Sequence, residues 1–238
     1  NVDNALSEGN VEVSITGDVS QIIVVYGNGP DAKSNPTTQQ IGISDLSFDL
    51  LSTVICFVRG TRIRTPDGDR RIEELSVGDL VTTADHGAQP LRWVGSREVA
   101  GRGLMTPVRF AVGTIGNSRE LWLSPRHRVV LTDWKTELVS GQSEMLATAA
   151  HLVNGRNITR VEQEEVEYFH LMFDRHEVVF AEDAPCESLF LSAMSLSGMT
   201  QADRLEIKTL FPELYAVPRL FGQTARPCLR AFEALLVA

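Results

Sequence analysis

At 238 residues the chain is long enough for one large domain or two small ones, and a hydrophobic fraction of 43% supplies an ample core, which excludes wholesale disorder. A net charge of −9 disfavours a nucleic-acid role, and Arg59, Arg62, Arg64, Arg70 and Arg71 form no continuous basic stripe. No apolar run approaches the roughly 18 residues of a membrane span.

Residues 1–50 alternate apolar and polar positions (Val11, Val13, Ile15; Ile22, Val24) and are broken by Gly27-Asn-Gly-Pro30 and Ser34-Asn-Pro36, which reads as short strands joined by turns. Ser52-Thr-Val-Ile55 then leads into Cys56. A hairpin follows, Arg62-Ile-Arg-Thr against Asp69-Arg-Arg-Ile, turned at Pro66-Asp67-Gly68 where glycine supplies a positive φ. Further strand-like runs are 79–83, 91–99, 108–112, 121–123, 128–132, 166–173 and 177–181, with Met145–Val153 read as the one helical stretch between them, stopped by Asn154-Gly155. Many short strands at this turn spacing predict a compact all-β body. The tail changes character. Thr200-Gln-Ala-Asp203 is a capping-box start for a helix carrying Leu205, Leu210 and Phe211. Arg226-Pro-Cys-Leu begins another, with Leu229, Phe232, Leu235 and Leu236 on one face.

Three cysteines (Cys56, Cys186, Cys228) without CxxC spacing indicate neither a zinc site nor a disulfide framework. The odd count leaves one thiol outside any pair, which suits a nucleophile and equally suits ordinary buried cysteines. Gly27-Asn-Gly lacks the helix and Lys-Ser/Thr of a phosphate loop, and Asp67-Gly-Asp69 is too short for calcium. His151 reads as structural. No metal or organic cofactor is implied.

Breaking a peptide bond from within the chain needs a thiol to attack the preceding carbonyl, a proton for the departing nitrogen, and stabilisation of the oxyanion. Cys56 supplies the first. Ser124-Pro-Arg-His127, after the strand Leu121-Trp-Leu123, places a histidine three residues beyond a hydroxyl. Taken alone, it reads as a Ser-Pro turn with a surface histidine.

The run Cys56-Phe-Val-Arg-Gly-Thr-Arg-Ile-Arg-Thr-Pro-Asp-Gly68, with Leu75-Ser-Val-Gly-Asp-Leu80 after it, resembles the opening of the Hint (hedgehog/intein) domains. Ser124-Pro-Arg-His127 is similar to that family's Thr-x-x-His motif. Asp85-His-Gly-Ala-Gln-Pro90 with Trp93-Val-Gly95, Tyr26-Gly-Asn-Gly-Pro30 and Leu210-Phe-Pro-Glu-Leu214 resemble its bacterial branch. The resemblance implies an intein-like horseshoe β fold over residues 52–191, a β-rich upstream segment over 1–51 and a helical appendage over 192–238. It implies a scissile bond between Ile55 and Cys56, with His127 contacting and protonating the Cys56 amide nitrogen while Ser124 orients the histidine or the carbonyl. His176 falls on the histidine of the family's closing strands. His170 falls where inteins carry an Asp or Cys that helps trigger the first acyl shift. A satisfied core histidine (His170) and a turn histidine held by Asp174 (His176) are the plainer readings of both. Asp85 or His86 is placed beside Cys56 to handle protons, against the plainer reading of a simple turn.

The chain departs from inteins at the far end. Aligning on His176 puts Glu187-Ser188 where splicing needs His-Asn, and serine cannot cyclise to a succinimide. Full splicing is therefore excluded from the expectation, and an N-to-S acyl shift remains. Its substrate is the chain's own upstream polypeptide, and its acceptor is water or a small amine or thiol, since nothing marks a sterol site. Two rivals stay open: a degenerate Hint β module for adhesion or display, and a cysteine peptidase acting in trans. The resemblance further implies a piece of a larger bacterial protein that is secreted or displayed at the surface.

Overall fold

The computed structural model describes residues 55–192, 195–196, 199–216 and 221–237. The strands read within residues 1–50, the approach over 52–54 and the Tyr26-to-Pro30 motif lie outside them. The described residues are mostly β, as the alternation predicts, and form two antiparallel sheets.

The first sheet holds β1 (Phe57–Val58), β6 (Trp93–Gly101), β7 (Val108–Phe110), β8 (Leu121–Leu123), β11 (Ile158–Arg160) and β12 (Gln163–Met172), in the order β11-β7-β8-β1-β12-β6. The second runs β10 (Met145–Thr148), β9 (Arg128–Leu131), β14 (Ala184–Glu187), β13 (Val178–Ala181), β2 (Arg62–Thr65), β3 (Gly68–Arg71). The hairpin of β4 (Leu80–Thr83) and β5 (Gly87–Pro90) joins it through β13. The β2–β3 hairpin closes with Thr65 opposite Gly68, whose φ of 111° only glycine adopts without strain. Alternation decides which side chains go inward: in β2 Ile63 is buried while Arg62 and Arg64 are half-buried.

Inward residues of both sheets (Ile63, Val81, Phe110, Leu123, Leu171, Val179), with Leu91 and Phe173 beside them, make the main core. A second cluster gathers Cys56, Trp93, Tyr168, Leu191, Ile207 and Phe221, so the tail packs onto the body at the strand that follows Cys56.

Three expectations need correction. Met145–Val153 is not a helix: Met145–Thr148 is β10, in register with β9 from Met145 opposite Leu131 to Thr148 opposite Arg128, followed by one 3-10 turn over Ala149–Leu152. The run has helical composition, but edge-to-edge pairing buries Met145, Leu146 and Ala147 and overrides propensity. The helix of this region is α1 (Trp134–Ser140), where the Asp133 side chain accepts the Thr136 N–H at 2.8 Å and Gly141 takes φ 71° after the last turn. In the tail, α2 (Gln201–Leu210) starts at the expected capping box, yet it buries Ile207 and leaves Leu205 and Leu210 exposed. A short α3 (Pro212–Ala216) follows it. The last helix, α4 (Ala231–Val237), begins after the predicted start and buries Ala234 and Val237, not Phe232, Leu235 and Leu236. Residues 226–229 are instead extended: Cys228 bridges Leu146 in parallel, with the Leu146 N–H donating to the Pro227 carbonyl at 2.8 Å.

The capping box is the local anchor of α2, since the Asp203 N–H donates to Thr200 Oγ1 and the Thr200 N–H to Asp203 Oδ2. Thr200→Ala is expected to cost about 1 kcal/mol of local helix stability. Hydrogen exchange should show α2 amides opening faster by about that factor, with the β-sheet amides unchanged.

Candidate active site

The site is one rung of the first sheet. Phe57 pairs with Leu123 on one side and Phe169 on the other, so the antiparallel register brings Cys56, one residue earlier, opposite Ser124 and His170. His170 in turn faces Gly95 across β12 and β6. Residues 68 and 114 positions from Cys56 in sequence therefore meet its two sides.

On the Ser124 side the ladder is altered at the atom that matters. The Ser124 N–H donates to the Cys56 carbonyl at 2.9 Å, as in a regular pair. The Ser124 carbonyl, however, accepts the His127 N–H at 3.1 Å and closes the turn at Pro125. The N–H of Cys56 is left to the Ser124 hydroxyl, which accepts it at 3.0 Å. A hydroxyl can both accept a proton from that nitrogen and donate one to it, which a carbonyl cannot.

On the other side His170 touches both the Ile55 carbonyl and the Cys56 sulfur. Its Nδ1 lies 2.7 Å from the Ile55 carbonyl oxygen and its Nε2 lies 3.7 Å from Cys56 Sγ. A carbonyl only accepts, so Nδ1 carries the proton and Nε2 offers its lone pair to the thiol. Burial pushes the Cys56 thiol well above its ordinary 9.0, against smaller opposing effects of the Ser124 hydrogen bond and Arg97. Burial lowers His170 below 6.5, against the opposing hydrogen bond to Ile55 and the charge of Asp203. The resting pair is thus thiol and neutral imidazole.

His127 is fully buried and packs edge-on against Phe57, with ring centroids 4.4 Å apart. Burial depresses it to about 3, partly offset by the Cys56 backbone. Neither of its ring nitrogens makes a hydrogen bond of full geometry among the described residues. The direct partner of the Cys56 amide is Ser124.

The remaining predicted residues stand in other networks. His176 accepts the Ala225 N–H at Nδ1 (2.8 Å), so its Nε2 carries the proton and points to the Ser188 carbonyl (3.1 Å) and Glu187 Oε2 (3.2 Å). It stands at the Glu187-Ser188 end, held there and not by Asp174, which pairs with Arg92. His86 bonds buried Glu177 at 2.9 Å, and Asp85 makes a two-pronged pair with Arg226 at 2.9 and 2.7 Å. The placement of Asp85 and His86 beside Cys56 is corrected accordingly: the β4–β5 turn carries them to β13 and the tail.

Two further groups complete the picture. Glu187, fully buried, accepts the Arg128 backbone N–H and Nε–H at 2.8 Å each, and pairs with the same guanidinium and with His176. Trp93 lies against His170, with centroids 6.1 Å apart and ring planes 14° from parallel. Ile55 also lines an open cleft of about 260 Å³ with Arg126, Arg128, Phe190, Ser192 and Cys228.

Glu187→Ala would take the carboxylate from the half-buried Arg128 guanidinium and leave His176 with the Ser188 carbonyl as its remaining acceptor. Urea unfolding is expected to show a loss of about 3–5 kcal/mol, larger than that for truncating any exposed ion pair.

Comparison with known proteins agrees with this architecture. Residues 55–193, more than half of the chain, match the family model of the Hint domain. Among solved structures, the chain is similar to the gp41-1 intein at 15% identity and a TM-score of 0.35, covering 56% of this chain and 97% of that one. It is similar to the MchDnaB-1 intein at 16% identity and a TM-score of 0.37, covering 55% and 98% respectively. A bacterial intein-like domain from Clostridium thermocellum gives 17% identity and a TM-score of 0.36, with 56% and 97% covered. No curated protein matches. The assignment rests on the family match, not on these distant likenesses.

Proposed function

The chain belongs to the Hint domain family, and we propose that it cleaves its own backbone at Ile55-Cys56 through an N-to-S acyl shift. The observation that carries this reading is the single imidazole of His170 lying on both the Ile55 carbonyl oxygen and the Cys56 sulfur.

The chemistry follows from that geometry. His170 Nε2 takes the thiol proton as Sγ attacks the Ile55 carbonyl carbon. The resulting imidazolium donates Nδ1–H to the developing oxyanion, so deprotonation of the nucleophile strengthens the charge stabilisation at the same moment. As the C–N bond breaks, the proton on Nε2 passes to the departing nitrogen, which the Ser124 hydroxyl holds in place. The products are a thioester between Ile55 and Cys56 Sγ and the free amine of Cys56. His127, neutral and buried against Phe57 beside the Cys56 backbone, adds a further polar group to the site. Water, an amine or a thiol then adds at the thioester carbonyl from the cleft beside Ile55, and the C–S bond breaks to return the Cys56 thiol.

The far end supports cleavage without splicing. Ser188 is fully buried, its Oγ accepts the Glu177 N–H at 2.9 Å and its own N–H donates to the Glu177 carbonyl at 2.8 Å. A serine bound in a strand register has neither the amide group nor the freedom that asparagine cyclisation uses. A trans-acting peptidase is disfavoured because Cys56 is 1% exposed. Within a larger parent protein, the upstream polypeptide is then both substrate and released product. Among the described residues no helix is long and apolar enough to cross a membrane.

Incubation with saturating dithiothreitol is expected to release a fragment ending at Ile55, at a rate independent of protein concentration. Cys56→Ala should abolish release, and His170→Ala should slow it about a hundredfold or more. No release from the parent chain, or release unaffected by Cys56→Ala, would sink the reading.

The acid limb of the rate is expected below pH 6.5, because a depressed His170 stays neutral and competent as a base until the pH falls beneath its ordinary value. The rate should then stay level toward 9.0, since the raised Cys56 thiol does not ionise on its own in that range. Mass spectrometry of cleavage against pH checks the profile. A limb centred above 6.5 would contradict it.

A further inference from the structure

We propose that Trp93 is a positioning residue for His170 and that Glu206 of the tail helix holds it there, which makes the helical appendage part of the self-processing machinery. The inference rests on the reading of His170 as the group that activates Cys56.

The argument starts from strand period. Trp93 and Gly95 are two residues apart in β6, so both lie on the face that Gly95 shares with His170 across the ladder. Position 95 has no side chain because the indole occupies its space: a Cβ there would stand 2.1 Å from Trp93 Cη2 and 2.4 Å from Cζ2. The φ of Gly95 is not one that demands glycine, so room for the indole is what the residue provides. With that room the indole lies across Gly95 and alongside the imidazole in offset parallel geometry. His170 is then fixed on three sides, by the Ile55 carbonyl, the Cys56 sulfur and the Trp93 ring.

The indole in turn has one polar atom and no solvent for it. Trp93 is fully buried, and its Nε1–H donates to Glu206 Oε2 on α2 at 2.9 Å. The next residue, Ile207, is fully buried in the same apolar cluster as Trp93 and Cys56. Tail and active site are therefore joined by a directed hydrogen bond and a packed side chain. Both Glu206, the acceptor of that bond, and Ile207 lie beyond the 55–193 segment that matches the Hint family. Glu206 itself is exposed apart from this bond, so its truncation leaves the core intact.

The test uses the full chain with Glu206→Ala, Glu206→Gln, Trp93→Phe and Gly95→Ala. Loss of the bond or displacement of the indole is expected to slow thiol-triggered release about tenfold to a hundredfold, the size of effect that sub-ångström misplacement of a reacting group produces. Glu206→Gln keeps an acceptor for the indole N–H and should restore a rate close to that of the parent chain. In a Cys56→Ala background, which cannot cleave, the His170 ring protons feel the indole ring current. Their NMR shifts should move in Glu206→Ala and Gly95→Ala and return in Glu206→Gln. Parent-like shifts in Glu206→Ala would overturn the inference whether or not the chain cleaves. Parent-like release by Glu206→Ala would overturn it as well. Absence of release from the parent chain, with the shifts moving as expected, would count against the proposed cleavage and leave the Glu206–Trp93–His170 arrangement supported.

Discussion

The arrangement depends on the register of a two-residue strand. Phe57 must lie between Leu123 and Phe169 for Cys56 to fall between Ser124 and His170. A slip of one residue would send every side chain of β1 to the opposite face and separate the thiol from both partners. The register is held by burial, since Phe57, Leu123 and Phe169 all sit in the main core. The same pairing that stabilises the body thus brings Cys56, Ser124 and His170 together.

A second consequence of that rung is electrostatic. Cys56, Ser124, His127 and His170 are all buried, so each prefers its neutral form at rest. Burial disfavours both the thiolate and the imidazolium, so the proposed chemistry requires direct proton transfer between two groups already in contact, whose attraction no water screens. The second buried polar cluster, around Glu187, is built on a permanent ion pair with Arg128 and anchors β9 to β14.

Much of this was legible in the chain. The cysteine ahead of a Pro-Asp-Gly hairpin, the Ser124-to-His127 spacing and the two closing histidines named four residues that the fold brings to one rung or its flank, and a fifth, His176, that it does not. What sequence could not supply was register: Cys56 meets His170 across 114 residues, and no local pattern encodes that distance. For the same reason Ser124, not His127, holds the scissile N–H, since the swap depends on a turn carbonyl being already engaged. Met145–Thr148 misled because its composition is helical while its edges are paired. Asp133 and Gly141, by contrast, were readable as helix caps, and the Trp93-x-Gly95 spacing was readable as a large residue leaning over a missing side chain.

The measurement that bears most directly on the account is the chemical identity of the new end at Ile55. Incubating the chain with hydroxylamine and weighing the released upstream fragment distinguishes thioester opening from ordinary hydrolysis. The account predicts a hydroxamate on Ile55, absent in Cys56→Ala and strongly reduced in His170→Ala. A fragment ending in a plain carboxylate, formed at the same rate with or without hydroxylamine and with Cys56 replaced, would contradict it.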